Sequence, residues 1–93
     1  MMTNAGKSRT IQLLYFAWVR EAIGRDGEAI DVPSNINTIA GLLDWLAVSS
    51  EAHARAFADR ARLRAAIDQR FVPLDAPIAD AKEIAIFPPV TGG

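Results

Sequence analysis

Cysteine is absent from the 93 residues, and that absence removes disulfides, thiolate metal sites and cysteine nucleophiles together. A small secreted domain ordinarily relies on disulfide staples, so a cysteine-free chain of this size points to a reducing compartment. Histidine occurs once, at His53, which leaves no His-rich metal site and no His-paired nucleophile; the expectation for it is a plain surface position. Neither sign of charge dominates, with ten Lys plus Arg against eleven Asp plus Glu and a net charge of −1. The basic stripe of a dedicated nucleic-acid binder is therefore missing. No apolar run reaches the length of a membrane span. The opening stretch from Met1 to Arg9 is polar and lacks the apolar core of a signal peptide. No Gly-rich phosphate loop occurs. These absences read as a cytoplasmic protein with no nucleic-acid or membrane partner.

What is present suits one small domain with a thin core: apolar residues make up 51% of the chain and charged ones 23%. Residues 1–9, rich in Gly, Ser, Thr and Asn, read as a loose arm, residues 10–87 as the folded domain and residues 88–93 as an extended tail. Ile11 to Phe16 is β-branched and aromatic enough for a strand. Trp18 to Ile23 reads as a short helical turn stopped by Gly24, and Asp26-Gly27 as a turn before the alternating strand Glu28 to Val32. Thr38 is a good N-cap for a helix whose apolar face is Ile39, Leu42, Leu43, Leu46 and Ala47. A second, Ala-rich helix is expected from about Glu51 to Asp59. Leu63 to Ile67, Phe71-Val72 and Glu83 to Phe87 are the remaining strands, with Pro73 to Asp80 a loop. That order predicts an α+β domain, a mixed sheet packed on helices. A ubiquitin-like β-grasp satisfies it, with the first and last strands parallel neighbours.

Strand alternation carries a functional hint. Ile11, Leu13 and Tyr15 point one way and Gln12, Leu14 and Phe16 the other; Ile84 and Ile86 oppose Ala85 and Phe87. A helix covers only one face of the sheet. Leu14, Phe16, Ala85 and Phe87 then lie on a face that is either covered by a loop or the Ala-rich segment, or left open as a protein-docking surface.

The end of the chain reads as a chemical device. Pro88 and Pro89 lock φ and hold their predecessors extended. The last six residues, Pro88, Pro89, Val90, Thr91, Gly92 and Gly93, can then project by on the order of 20 Å at about 3.3 Å per residue. Gly92 and Gly93 fit a slot too narrow for any side chain. The Gly93 carboxylate, ionised at neutral pH, is an unhindered nucleophile toward the α-phosphate of ATP inside a partner enzyme. A Gly-Gly end alone means little; following a strand and a Pro-Pro stiffener, it becomes specific.

These residues resemble the MoaD-like sulfur carriers, the small subunits of molybdopterin synthase. The resemblance runs over residues 10–93 and rests on three segments. Tyr15-Phe16-Ala17-Trp18-Val19-Arg20-Glu21 is similar to the family's aromatic-Phe-Ala-x-Val-Arg-Glu stretch. Leu63 to Gln69 resembles its Ala-Val-Asn-Gln strand and turn, with Asp68 where Asn is common. Glu83 to Gly93 resembles its closing signature almost residue for residue, after Ala81-Lys82 in place of a common Gly-Asp. The helix at 51–59 fits the family's insertion relative to shorter β-grasp carriers.

The resemblance implies a mechanism. An ATP-dependent enzyme adenylates Gly93, and a sulfur donor converts it to a thiocarboxylate. The tail then delivers sulfur to the dithiolene of molybdopterin in the active site of the large synthase subunit, where the catalytic side chains are expected. No stably bound cofactor is expected on this chain, and ATP is used by the partner. Phe16, Phe71 and Phe87, with Pro88, Pro89, Val90 and Thr91, are the expected partner-binding residues, and Gly92 and Gly93 the reacting end.

Two other functions fit a β-grasp with this ending: a sulfur carrier for another pathway, such as thiamine, and a ubiquitin-like protein modifier. Having only Lys7 and Lys82 disfavours extensive lysine-linked chains. Arg55, Arg60, Arg62 and Arg64 form a local basic cluster, readable as a solvated face or as a steering patch for an acidic partner. Arg20 and Glu21 are open to pairing with each other or with a partner. Trp45 is expected at the edge of the helical stripe.

Overall fold

The computed structural model describes residues 8–89. Its strands are β1 (Ser8–Tyr15), β2 (Gly27–Pro33), β3 (Arg64–Ile67), β4 (Arg70–Val72) and β5 (Glu83–Phe87). Its α-helices are α1 (Ala17–Ile23), α2 (Ile39–Ala47) and α3 (Glu51–Ala56), and a 3-10 turn spans Arg60–Arg62. The five strands form one sheet in the order β2-β1-β5-β3-β4. β5 lies in the middle, parallel to β1 and antiparallel to β3. This is the expected β-grasp, with the chain's first and last strands side by side.

β1 starts earlier than the sequence suggests. Ser8 and Arg9 pair with Pro33 and Val32, and the Arg9 Nη2 donates to the Ile36 carbonyl at 2.9 Å. These two residues of the expected loose arm are therefore sheet, because β2 is long enough to pair with them. At the other end of this hairpin Gly27 faces Leu14 so closely that a Cβ would sit 2.7 Å from the Leu13 carbonyl oxygen. Only glycine allows β2 to start there. Between them α1 ends at Gly24, whose φ of 92° supplies the left-handed cap and lets its N–H reach the Arg20 carbonyl at 2.8 Å.

α2 starts as expected: the Thr38 hydroxyl accepts from the Gly41 N–H at 3.0 Å. Ile39, Leu42, Leu43 and Leu46 are buried against Ile11, Leu13, Ile84 and Ile86 of the sheet, while Ala47 is only half-buried. At roughly 1.5–3 kcal/mol for each large apolar side chain, burial between α2 and the sheet contributes substantially to stability. Trp45 packs half-buried beside it. α3 is shorter than expected. It ends at Ala56, because Asp59 starts a new turn by accepting from the Ala61 N–H at 3.2 Å. Phe57, just past the helix end, is buried in the core.

The β3–β4 turn uses Asp68 and Gln69, both left-handed with φ of 49° and 75°. A two-residue turn of that hand matches strand twist, and Asp tolerates it. Asp68 is also fastened to the start of β5. Its carboxylate accepts from the Glu83 N–H at 2.9 Å and the Lys82 N–H at 3.1 Å, and its own N–H donates to the Glu83 carbonyl at 2.9 Å. Aspartate where the resembling family often has Asn thus keeps the turn and ties it to the last strand.

His53 is not the surface residue its isolation in sequence suggests. Its side chain is 12% exposed, with Nε2 2.7 Å from Glu28 Oε2 and Nδ1 2.6 Å from the Ser50 hydroxyl. The buried Tyr15 donates to the same Glu28 oxygen at 2.7 Å, and Arg25 lies 3.3 Å from the other. Burial alone would raise the Glu28 pKa, but hydrogen bonds from Tyr15 and His53, aided by the His53 and Arg25 charges, outweigh it and hold the carboxyl below its usual range. Burial, and then Glu28, push the Tyr15 phenol above its ordinary value.

A carboxyl with a lowered folded pKa stabilises fully above its unfolded value of about 4.3 and loses that contribution as pH falls through the folded value. Glu28→Gln should therefore cost about 1 kcal/mol at pH 7, with a smaller gap from the parent chain near pH 3. Urea unfolding at the two pH values measures this, and a gap that does not change with pH would contradict it.

Candidate functional site

The register sorts the sheet into two faces. Ala65 pairs with Ile86 and is buried with it under the helices. The neighbouring pairs Arg64 with Phe87 and Ala66 with Ala85 therefore lie on the opposite face. Phe71, paired with Ala66, joins them from β4, and Leu14, paired with Ala85, joins from β1. Helix α3 packs against α1 and α2 and leaves this face open. Of the two expectations, the open face is the one observed: among the described residues nothing lies over Phe16 or Phe71, which are 48% and 79% exposed.

The apolar residues gather at the end of the face where β5 hands over to the tail. The Phe71 and Phe87 rings lie 5.5 Å apart, tilted by 43°. Phe16, Phe71, Phe87, Pro88 and Pro89, with Ala66 as the floor, line a shallow apolar depression of about 550 Å³. The structure thus brings together the expected docking residues Phe16, Phe71, Phe87, Pro88 and Pro89. Val90, Thr91, Gly92 and Gly93 lie outside the described residues. The root of the tail is well held: β5 is bonded on both sides, and the Phe16 N–H donates to the Ile86 carbonyl at 3.3 Å, just before Phe87 and Pro88.

Ala17 and Gln69 line the depression without having been anticipated. Ala17 takes a left-handed φ of 56° at the start of α1. That conformation costs an alanine on the order of 1–2 kcal/mol. It turns the chain sharply from β1 into α1, with Tyr15 buried on one side and Phe16 exposed on the other. Nothing in a local pattern announces a strained alanine. Gln69 was visible as a turn residue, but its place beside Phe71 follows from the hairpin.

The charged candidates separate once folded. Arg60 bonds to Asp44 at 2.8 Å, Arg55 lies 3.8 Å from Glu51, and the Arg62 guanidinium sits 4.9 Å from the Trp18 ring centroid. Arg64 alone of the four lies on the open face. Arg20 and Glu21 are both exposed and form no ion pair with each other. Among the described residues no group of His, Asp or Glu side chains is placed to hold a metal ion, and no helix is long and apolar enough to cross a membrane.

An apolar platform beside a firmly rooted strand end has the shape and chemistry of a surface that can dock a protein. Comparison with known proteins places the chain among relatives of known name. The chain is 42% identical to the molybdopterin synthase sulfur carrier subunit of Escherichia coli strain K12, over 89% of this chain and 99% of that protein. It is 37% identical to the protein of the same name in Haemophilus influenzae, with the same coverage. Its fold matches the crystal structure of SAMP1, small archaeal modifier protein 1 of Haloferax volcanii, with a TM-score of 0.68 at 27% identity, covering 91% of this chain and all of the other. The ThiS family description matches residues 13–93, from the middle of β1 through the Gly-Gly end, and the chain belongs to the ThiS family of ubiquitin-like sulfur carriers.

Proposed function

We propose that this chain is the sulfur carrier subunit of a molybdopterin synthase. The observation that carries the reading is the apolar depression of Phe16, Phe71 and Phe87 at the root of a Pro-Pro-Val-Thr-Gly-Gly ending. Relatives that cover nearly the whole chain and bear that name support it.

The chemistry proceeds on Gly93. Its carboxylate attacks the α-phosphate of ATP in an adenylating enzyme, and pyrophosphate leaves. Hydrosulfide supplied by the sulfur donor adds to the acyl carbon of the adenylate and expels AMP, leaving a thiocarboxylate. In the large synthase subunit the sulfur passes to the pterin precursor, and water restores the carboxylate. The chain supplies no side chain to these steps. Gly92 and Gly93 offer no steric obstacle to a narrow channel, Pro88 and Pro89 limit the conformations lost on entry, and Val90 and Thr91 contact the channel. Phe16, Phe71 and Phe87 hold the carrier on its partners, each ring contributing on the order of 1 kcal/mol. The setting for this ATP-dependent chemistry is the cytoplasm.

The likeness to a small archaeal modifier protein favours one further reading, attachment of Gly93 to amino groups of other proteins. Both readings share the adenylate and differ in the nucleophile that follows.

Intact-mass analysis after incubation with the adenylating enzyme, ATP and a sulfur donor should show the gain of one sulfur for one oxygen, localised to Gly93. No gain, or an equal gain in a chain lacking Gly93, overturns the carrier reading; conjugates at lysine in place of the sulfur gain would select the modifier reading. Phe71→Ala should weaken binding to the large subunit by about tenfold while costing folding less than about 0.5 kcal/mol, because the ring is 79% exposed. Calorimetric titration and urea unfolding separate these effects, and loss of stability without loss of affinity would remove Phe71 from the docking face.

A further inference from the structure

Four arginines lie close together in sequence, and the fold gives three of them intramolecular tasks. Arg55 sits beside Glu51, Arg60 donates to Asp44 and the Phe57 carbonyl, and Arg62 covers Trp18. Arg64 has a different position. It is the cross-strand partner of Phe87, the residue from which the tail departs, and with Phe71 and Phe87 it lines a second depression of about 200 Å³ on the open face.

Its guanidinium is held in place but not saturated. Nη1 donates to the Ala61 carbonyl at 3.1 Å and the Leu63 carbonyl at 2.8 Å, which uses both hydrogens of that nitrogen. The Nε–H and the Nη2 hydrogens find no acceptor among the described residues. Those two nitrogens form the edge of the fork that receives a carboxylate through two parallel bonds. No carboxylate of this chain pairs with it among the described residues. The side chain is thus oriented in advance, at low further entropy cost, beside two aromatic rings that are the most evident contact surface of the molecule.

We infer that Arg64 is a specificity residue of this face, and that the large synthase subunit presents a carboxylate side chain opposite it within an otherwise apolar contact. This rests on the reading of the open face as the docking surface. The apolar rings supply attraction without direction; one paired charge among them fixes the register of docking and penalises partners without an acidic group there. The ligand chemistry favours a protein carboxylate over a phosphate, since among the described residues Arg64 is the only cation lining this depression and a phosphate would bring more negative charge than one guanidinium balances.

The test is the affinity of the full chain for the large subunit by calorimetric titration, at low and high salt, for the parent, Arg64→Gln, Arg64→Glu, Arg55→Gln and Phe71→Ala. Arg64→Gln should weaken binding by about fivefold at low salt, Arg64→Glu by more, and both deficits should shrink as salt screens the pair. Arg55→Gln, a charge loss away from the face, should bind as the parent does. Melting temperatures of the variants check that each is folded. Equal affinity of Arg64→Gln and the parent, with Phe71→Ala weakened, would overturn the role of Arg64 and leave the docking face standing. The same weakening in Arg55→Gln would reduce the effect to net charge and also overturn it. Unchanged binding by Phe71→Ala would remove Phe71 and the depression it shares with Arg64 from the contact, and this inference with it.

Discussion

Parallel pairing of β1 with β5 joins the two ends of the chain, Gln12 to Tyr15 beside Glu83 to Ile86, in the middle of the sheet. Such a long-range contact closes a loop of nearly the whole domain, a cost that local structure does not repay. It is repaid by the apolar core that forms on one face, where Ile11, Leu13, Ile84 and Ile86 meet Leu42, Leu43 and Leu46 of α2. Because strands alternate, the same pairing presents Leu14, Ala85 and Phe87 on the other face. The core and the open face are therefore two results of one register, and a slip of one residue would exchange them.

The pairing also sets where the tail begins. β5 is bonded by a neighbour on each side, so Phe87 is part of a rigid sheet and Pro88 follows at its border. Asp68 secures the other end of β5 by binding the Lys82 and Glu83 amides. On the proposed docking, a fixed origin for the chain end shortens the search left to the last residues. The strain accepted at Ala17, which sits between Tyr15 in the core and Phe16 on the open face, belongs to the same design, since conformations of that kind persist where surrounding structure holds them.

Much of this was legible in the sequence because it is periodic or local. Alternation in Ile11 to Phe16 and in Glu83 to Phe87 separates core from open face. Thr38 with the stripe Ile39, Leu42, Leu43 and Leu46 marks a capped helix. What was not legible depends on residues distant in sequence. His53 looked like a surface residue because Glu28 is 25 positions away, and only the fold places the two 2.7 Å apart. The Arg55 to Arg64 cluster looked uniform because the partners that divide it, Asp44 and Trp18, belong to other elements. The early end of α3 follows from a competing cap at Asp59, which an Ala-rich pattern does not reveal. Of the candidate site, Phe16 and Phe87 were readable from alternation and Phe71 from the family resemblance, whereas Ala17, Ala66 and Arg64 required the fold.

The proposed role of this domain is to carry sulfur on Gly93 and give it up when docked. The most direct measurement is a single-turnover reaction between the chain bearing an isotopically labelled thiocarboxylate sulfur, the large synthase subunit and the pterin precursor. The label should appear in the dithiolene product while the chain returns to the mass of its free carboxylate. Label that stays on the chain, or is released to solvent without entering the product, would contradict it.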